Sequence, residues 1–334
     1  MGMAELVLGA GSSHSPMVSM IGDDWLEWGQ RDRNQPGLYT REGRHLSYDE
    51  ALGRAGDSMA DRITPARCAD GGARVEAAIA RLRDAITAAD LEAVIVVGDD
   101  QDEHLRSDNL PPFLVYWGEA IANSGIDHAE QLSPMARRYL AGYQETDGER
   151  EYPVAVALAR HLIDQAFAHD FDVASSDTLP DAGHGMGHAF GFVMRRLVAG
   201  DVPLVPVMVN TYNPPTQPRA ARCAAFGAML GEAVASFGGC DRVGVIASGG
   251  LSHFMVLEDL DREVLAAVAR HDLAALTSIP EATFTSGTSE IKNWITVAAM
   301  VPHLRFELLD YVPGYRTPAG SGTGLAFALW TPAG

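Results

Sequence analysis

Lysine, cysteine and long apolar runs are all scarce in this chain of 334 residues. Its one lysine is Lys292, and 44 acidic residues outnumber 25 basic ones, which gives a formal net charge of −19. Such a charge repels phosphate backbones and anionic lipid headgroups. The composition therefore argues against nucleic acid and membrane surfaces as partners.

The three cysteines are Cys68, Cys223 and Cys240, and no two of them have CxxC spacing. This excludes a disulfide framework or a cysteine-rich zinc site and is typical of a reducing compartment. No apolar run approaches the roughly 20 residues that span a bilayer. The N-terminus also lacks the basic and apolar regions of a secretory signal. We therefore expect a cytoplasmic protein without a membrane span.

Short apolar runs alternate with longer segments of helical periodicity. The runs at 6–8, 93–97, 204–209 and 243–247 are typical of strands buried on both faces, and Val75, Ile79, Leu82 and Ile86 recur at helical spacing. Segments 154–167 and 220–237 show the same helical pattern. The alternation predicts an α/β fold, with helices flanking a largely parallel central sheet, as a single domain over 1–334.

Segment 23–66 interrupts this alternation. It contains Trp25, Trp28 and Tyr39, few aliphatic residues and charges without a clear period. We interpret it as a partly helical insertion over the sheet. It is either a surface excursion or a lid over a cleft.

Polar loops follow four of the predicted strands, at 9–14, 98–104, 210–215 and 248–253. In open α/β sheets, ligands bind beyond the carboxyl ends of the strands. These loops carry histidines, carboxylates and amides, so we expect the functional site there. The first loop is not a dinucleotide-binding turn, because His14 stands where the third glycine is needed. The P-loop, HExxH and GxSxG motifs are also absent from the sequence.

Several residues in or near these loops have two interpretations each. His14 is either a metal ligand, since imidazole suits iron, zinc and manganese, or a cap of the next helix. Glu290 either caps a helix or faces a cation. His184 and His188 lie among four glycines, where they serve either in acid–base chemistry or as solvated turn residues.

Seven sequence blocks, taken in order, resemble one known family. They are SHSP at 13–16, GDD at 98–100, NLPPF at 109–113, GH at 187–188, VNTYNPP at 209–215, GGLSH at 249–253 and SEIKNW at 289–294. The chain resembles the class III extradiol ring-cleavage dioxygenases, the family of the protocatechuate 4,5-dioxygenase β subunit. Within it, the GDDQ motif at 98–101 resembles the gallate- and methylgallate-type subgroup.

The resemblance implies Fe(II) held by two histidines and a glutamate, with a small catechol-type or methoxylated aromatic acid and O2 as substrates. By position, His14 matches the first histidine ligand and Glu290 the glutamate. His188 matches the catalytic histidine, a base and then an acid toward the substrate hydroxyl, and His253 matches a histidine close to the active site. The further candidates for substrate contact are His184, Asn210 and Tyr212.

Two further expectations concern the cover of the pocket, which follows from the resemblance, and the assembly of the chain, which follows from its composition. In some members of the family a small separate subunit closes the site, and segment 23–66 is the candidate cover here. We further expect a homo-oligomer, as is common for Ala-rich α/β chains.

Gln101 stands where the family has its second histidine ligand, and an amide oxygen is a poorer ligand for Fe(II) than imidazole. Either Gln101 binds weakly, or Asp100, Glu103 or His104 supplies the ligand. Alternatively, the site holds zinc, manganese or no metal. The protein is then a metal-dependent hydrolase or lyase on the same fold, or a non-catalytic binding protein.

An anionic substrate needs local positive charge in so acidic a protein. We expect it from the metal and from basic residues near the crevice. The candidates are Arg195, Arg196, Arg219 and Lys292.

Overall fold

The computed structural model describes residues 2–180 and 182–333. The strands in this part of the chain are β1 (Glu5–Ser12), β2 (Ala93–Asp99), β3 (Phe113–Tyr116), β4 (Ala120–Asn123), β5 (Arg150–Pro153), β6 (Ala174–Ser176), β7 (Leu204–Val209), β8 (Arg242–Ser248), β9 (His253–Met255), β10 (Arg305–Tyr315) and β11 (Ser321–Thr331).

Nine of these strands form one sheet, in the order β10-β11-β1-β8-β2-β7-β3-β6, with β9 paired to β11. The four central strands, β1, β8, β2 and β7, are parallel, whereas β11 and β3 run antiparallel to their inner neighbours. Strands β4 and β5 form a separate two-stranded antiparallel sheet. The predicted α/β fold with a largely parallel central sheet is confirmed.

Helices cover both faces of the sheet. In the described residues they are α1 (Gly22–Gly29), α2 (Tyr48–Ala55), α3 (Pro65–Ala88), α4 (Pro134–Leu140), α5 (Val156–Ala168), α6 (His188–Arg196), α7 (Ala220–Ala235), α8 (Glu258–Ala269), α9 (Leu273–Ser278) and α10 (Ile291–Met300). None of them is long and apolar enough to cross a bilayer.

The central strands are apolar throughout because both of their faces are buried. In β2, Val94 and Val96 pack into one core cluster while Ile95 and Val97 pack into the other. Alternate residues of a strand point to opposite sides, so a strand between two helical layers needs an apolar residue at every position. This packing fixes β2 firmly and holds its carboxyl end in place beside that of β8.

Segment 23–66 contains most of α1, a 3₁₀ turn at Gln30–Asn34, α2 and a second 3₁₀ turn at Gly56–Arg62. Its anchor is a buried ion pair, in which Arg316 Nε donates to Asp32 Oδ2 at 2.7 Å and Nη2 donates to Oδ1 at 3.1 Å. Both side chains are only 2% exposed. The pair ties the segment to the loop between β10 and β11.

Candidate metal centre and substrate cavity

Four side chains meet at the carboxyl ends of the parallel strands. His14 follows β1, Asp99 ends β2, His188 begins α6 and Glu290 directly precedes α10. From His14 Nε2, the distances are 3.2 Å to His188 Nε2, 3.3 Å to Glu290 Oε2 and 3.7 Å to Asp99 Oδ1. Residues up to 276 positions apart in sequence thus form one polar cluster.

The hydrogen bond at Nδ1 determines the tautomer of His14. The Ser248 hydroxyl donates to the carbonyl of Ala189 at 2.7 Å, so its oxygen must accept from His14 Nδ1, which lies 2.9 Å away. The proton of a neutral imidazole is then on Nδ1, and the lone pair of Nε2 faces the cluster. His14 is oriented as a metal ligand would be.

Glu103 orients His188 in the same way. Its Oε2 lies 2.7 Å from His188 Nδ1, and its Oε1 accepts the backbone N–H of His188 at 2.9 Å. Burial opposes charge on both groups, but their attraction lowers the pKa of Glu103 to about 2 and raises that of His188 to about 10. His188 Nε2 is left facing the cluster, where a divalent cation would oppose protonation of the ring and lower its pKa.

These atoms fit a bound cation. The Nε2 atoms of two imidazoles and two buried carboxylates converge, and such groups need a shared proton or a metal ion to offset the repulsion between the carboxylates. His14, Asp99 and His188 place ligand atoms within 4.8 Å of one another. Burial and the charge of Glu290 raise the pKa of Asp99 to about 6. Nitrogen and oxygen donors suit iron, zinc or manganese.

Glu290 is held by donors from two elements. Its Oε2 accepts the N–H of Gly250 at 2.6 Å, and its Oε1 lies 2.9 Å from His253 Nε2. His253 Nδ1 also lies 2.9 Å from the carbonyl of Leu251, so both ring nitrogens face oxygen acceptors, an arrangement that favours the protonated ring. Burial lowers the pKa of His253, but attraction to the Glu290 carboxylate has the larger effect and raises it.

Gln101 enters the cluster, at the position that resembles the family's second histidine. Its Nε2 lies 3.2 Å from Glu290 Oε1, 3.4 Å from Asp99 Oδ2 and 3.4 Å from His188 Nε2. Turning the amide by 180° puts its oxygen at the same place, so Gln101 offers either a donor or a ligand oxygen there.

The other candidates for the missing ligand are engaged elsewhere. Asp100 accepts the backbone N–H groups of Glu103, His104 and Leu105, and thereby shapes the loop. His104 lies 2.8 Å from the carbonyl of Gly185 through Nε2, and Glu103 binds His188. The structure instead adds Asp99, which the sequence analysis did not consider as a ligand.

A cavity of about 410 Å³ opens over the cluster, within the size range of small-ligand sites. It is lined by His14, Ser15, Pro16, Trp28, Arg31, Asp32, Gln35, Gln101, Glu103, Tyr143, His188, Tyr212, His253, Phe254, Glu290, Arg316 and Thr323. Tyr212 is thus a cavity residue, with its hydroxyl 3.5 Å from His253 Nε2, and its contact with a substrate stays a prediction.

His184 and Asn210 do not line this cavity. His184 is exposed, with its Nε2 3.4 Å from Arg106 Nη2. Asn210 is buried and shapes its own loop, because its Nδ2 donates to the Asn213 carbonyl at 2.8 Å and its Oδ1 accepts the Asn213 N–H at 2.8 Å. Neither side chain is placed for the substrate contact expected from the sequence.

The basic residues expected near the crevice are also elsewhere. Arg195 pairs with Glu145 and Arg196 with Glu76. Arg219 and Lys292 line a neighbouring cavity, where Lys292 Nζ lies 3.3 Å from Glu281 Oε2. The arginines that line the main cavity are Arg31 and Arg316, from segments the sequence analysis had not linked to positive charge.

Fold and site together define an α/β protein with a candidate cation site and a ligand-sized cavity at the carboxyl ends of its parallel strands. The chain belongs to the family described as the catalytic LigB subunit of aromatic ring-opening dioxygenase, whose sequence model matches residues 72–322. The match includes Asp99, Gln101, His188 and Glu290, whereas His14 and segment 23–66 precede it.

Curated relatives carry the name 2,3-dihydroxyphenylpropionate/2,3-dihydroxicinnamic acid 1,2-dioxygenase. The chain is 29% identical to that of Azotobacter vinelandii over 55% of its own length and 51% of the relative's. Identity to that of Comamonas testosteroni is 32%, over 55% and 50% of the two chains, and to that of Rhodococcus rhodochrous 31%, over 58% and 53%. The chain thus spans about half the length of these relatives.

Proposed function

We propose that this protein is an Fe(II)-dependent extradiol dioxygenase that opens the ring of a catechol-type or methoxylated aromatic acid with O2. The observation that carries the proposal is the convergence of His14, Asp99, His188 and Glu290 in one polar cluster, three members of which line the cavity. Family membership and the names of the relatives support the same reaction class. Residues 1–334 would act as one catalytic unit in a cytoplasmic homo-oligomer.

His14 and Glu290 would hold the metal, with Asp99 or Gln101 completing the ligand set. The bound metal would supply a Lewis acid that makes a chelated substrate hydroxyl more acidic and gives O2 a place beside the ring. Cation binding would also relieve the repulsion between the Asp99 and Glu290 carboxylates.

His188 would take the proton of the substrate hydroxyl on Nε2 and later return it. Glu103 keeps Nδ1 as a donor, so the atom that faces the cavity is the one that changes its protonation. His253 would hold Glu290 in place through Nε2, and Tyr212 beside it would present its O–H to orient a substrate oxygen. The cavity walls would exclude bulk water from the ring.

The first test is metal content and oxygen consumption of anaerobically purified protein. The proposal predicts about one iron per chain and O2 uptake with catecholic acids, detected by electrode and by absorbance of the ring-opened product. Stoichiometric zinc or manganese without O2 uptake would indicate the hydrolase or lyase reading. A metal-free, inactive protein would indicate a binding protein and contradict the proposal.

Alanine variants test the ligand assignment. His14→Ala and Glu290→Ala should each lose bound iron, because each removes one donor from a set of three or four. His303→Ala is the matched control, since that histidine bonds the carbonyl of Leu6 on the other side of the fold. Stoichiometric iron in either site variant, measured after anaerobic gel filtration, would refute its assignment.

The substrate is tested with acids of both expected types. Dihydroxyphenylpropionate represents the named relatives, and gallate and its methyl ethers represent the subgroup that the GDDQ motif resembles. The acid with the highest kcat/KM identifies the subgroup. Ring opening of none of them would refute the proposed substrate class.

A further inference from the structure

Two arginines line the cavity, and they differ in whether their charge is already compensated. Arg316 is 4% exposed and directs Nε and Nη2 at Asp32, while Nη1 lies against Met17. The Arg316–Asp32 pair therefore presents almost no net charge to a ligand in the cavity. Arg31 is exposed, and among the residues that the structure describes no carboxylate pairs with it.

Arg31 is held in place by an aromatic ring. Its guanidinium carbon lies 4.1 Å from the ring centroid of Trp28, which also lines the cavity. Stacking uses the face of the guanidinium and leaves its in-plane N–H groups free for a planar carboxylate. The side chain is thus partly ordered before any ligand arrives, which lowers the entropic cost of binding.

A series of aromatic contacts connects this arginine with the polar cluster. Trp28 contacts Tyr139 with ring centroids 5.1 Å apart, Tyr139 lies 6.4 Å from Tyr143, and Tyr143 lies 6.4 Å from His188. Arg31 and the polar cluster therefore face the same cavity but are separated by several ring contacts. A substrate that uses both must carry its anionic group away from its diol.

We propose that Arg31 is the specificity-determining residue that binds the substrate carboxylate, so that the protein prefers catechols whose acid group lies opposite the diol. This inference rests on the proposed function for the identity of the substrate. Arg31 also lies outside the part of the chain that the family model matches, so this preference would belong to segment 23–66.

The test uses Arg31→Gln, with Arg33→Gln as the matched control. Arg33 is an exposed arginine of the same 3₁₀ turn and lies over Tyr48 at 5.1 Å, but it does not line the cavity. Binding is measured by calorimetry under argon, so that no turnover occurs. The ligands are 3-(3,4-dihydroxyphenyl)propionate, whose side chain lies opposite the diol, and its neutral primary amide.

We expect wild type and Arg33→Gln to bind the acid about tenfold more tightly than the amide, which corresponds to about 1.4 kcal/mol. Arg31→Gln should lose this preference by binding the acid more weakly and the amide as before. In aerobic assays its KM for the acid should rise about tenfold with kcat nearly unchanged. The reason is that this contact stabilises the bound substrate and the transition state equally. Arg31→Lys should restore part of the preference.

Equal binding of acid and amide by the wild type, or a preference retained by Arg31→Gln, would overturn the inference. Equal losses for acid and amide in Arg31→Gln would also overturn it, since they would show a structural role. If the wild type binds the acid through Arg31 but opens no ring in air, the proposed function fails while the role of Arg31 stands.

Discussion

The two histidines of the cluster differ in what their Nδ1 atoms contact. His14 donates to a neutral hydroxyl, Ser248, whereas His188 faces the carboxylate of Glu103. A neutral partner favours an uncharged ring that binds metal, and an anionic partner favours a ring that accepts a proton. The partners at Nδ1 therefore support the proposed roles of His14 as a metal ligand and of His188 as a base.

Replacing Glu103 tests this division. Glu103→Gln keeps the shape but removes the charge that raises the pKa of His188, so that pKa should fall. The acidic limb of the profile of kcat/KM against pH should move to lower pH, and kcat should drop about 10–100-fold. Oxygen uptake between pH 5 and 9 measures both. Exposed Glu130→Gln is the control, and an unshifted acidic limb would show that Glu103 does not tune His188.

A second prediction at the residue scale concerns the contribution of the buried pair Asp32–Arg316 to stability. Asp32→Ala leaves the Arg316 charge buried without its partner and should lower the free energy of unfolding by about 3–5 kcal/mol. Asp32→Ala combined with Arg316→Met should recover much of the loss. Urea denaturation measures each value. Glu263→Ala breaks the exposed pair with Arg41 and should cost no more than about 1 kcal/mol.

At the scale of elements, the start of α6 determines the position of His188, because His188 is the first residue of this helix. Gly187 precedes His188 with φ of +82°, a conformation that favours glycine, and a Cβ there would lie 3.1 Å from Glu103 Oε2. Gly187 therefore permits both the backbone turn before α6 and the close approach of Glu103. This explains why a glycine-rich stretch leads into a helix that carries a functional residue at its first position.

Gly187→Ala should combine backbone strain with displacement of Glu103. We expect the free energy of unfolding to fall by about 1–3 kcal/mol, and kcat to fall because Glu103 and His188 separate. Gly200→Ala is a matched control, since Gly200 has φ of +77° and no described atom lies within 4 Å of its Cβ position. The control should lose similar stability by urea denaturation and keep its kcat. Equal kcat in both variants would contradict the role of the contact.

At the scale of the whole molecule, buried carboxylates make stability depend on pH. Asp261 on α8 is fully buried, and burial raises its pKa to about 6 although Ser252 and Tyr311 donate to it. A raised carboxyl pKa means that the folded state favours the neutral acid. Its contribution is therefore favourable at low pH and is lost as the pH rises through about 6.

Asp261→Asn removes this titration while it keeps the size and an acceptor oxygen for the Ser252 N–H. Relative to wild type, the variant should gain about 2 kcal/mol in free energy of unfolding between pH 4.5 and 7.5. Urea denaturation at both pH values measures the difference. Exposed Asp259→Asn on the same helix should show no such gain, and a constant difference for Asp261→Asn would refute the assignment.

Much of the fold could be predicted from the sequence. The runs at 93–97, 204–209 and 243–247 lie within β2, β7 and β8, because strands buried on both faces must be apolar at every position. The polar loops after β1, β2 and β8 could be assigned to one edge of the sheet, because the carboxyl ends of parallel strands lie at the same edge. That placement follows from local periodicity and from the geometry of parallel strands.

Only the tertiary structure decided which loop residues face the cluster. Asp99 at the end of β2 and Gln101 in the following loop face it, whereas Asp100 turns back to bind three backbone N–H groups. Arg316 lines the cavity but is paired with Asp32, 284 residues away in sequence, while Arg31 keeps its charge. Side-chain direction in a loop and the pairing of distant charges depend on the folded backbone, and local sequence patterns carry no record of either.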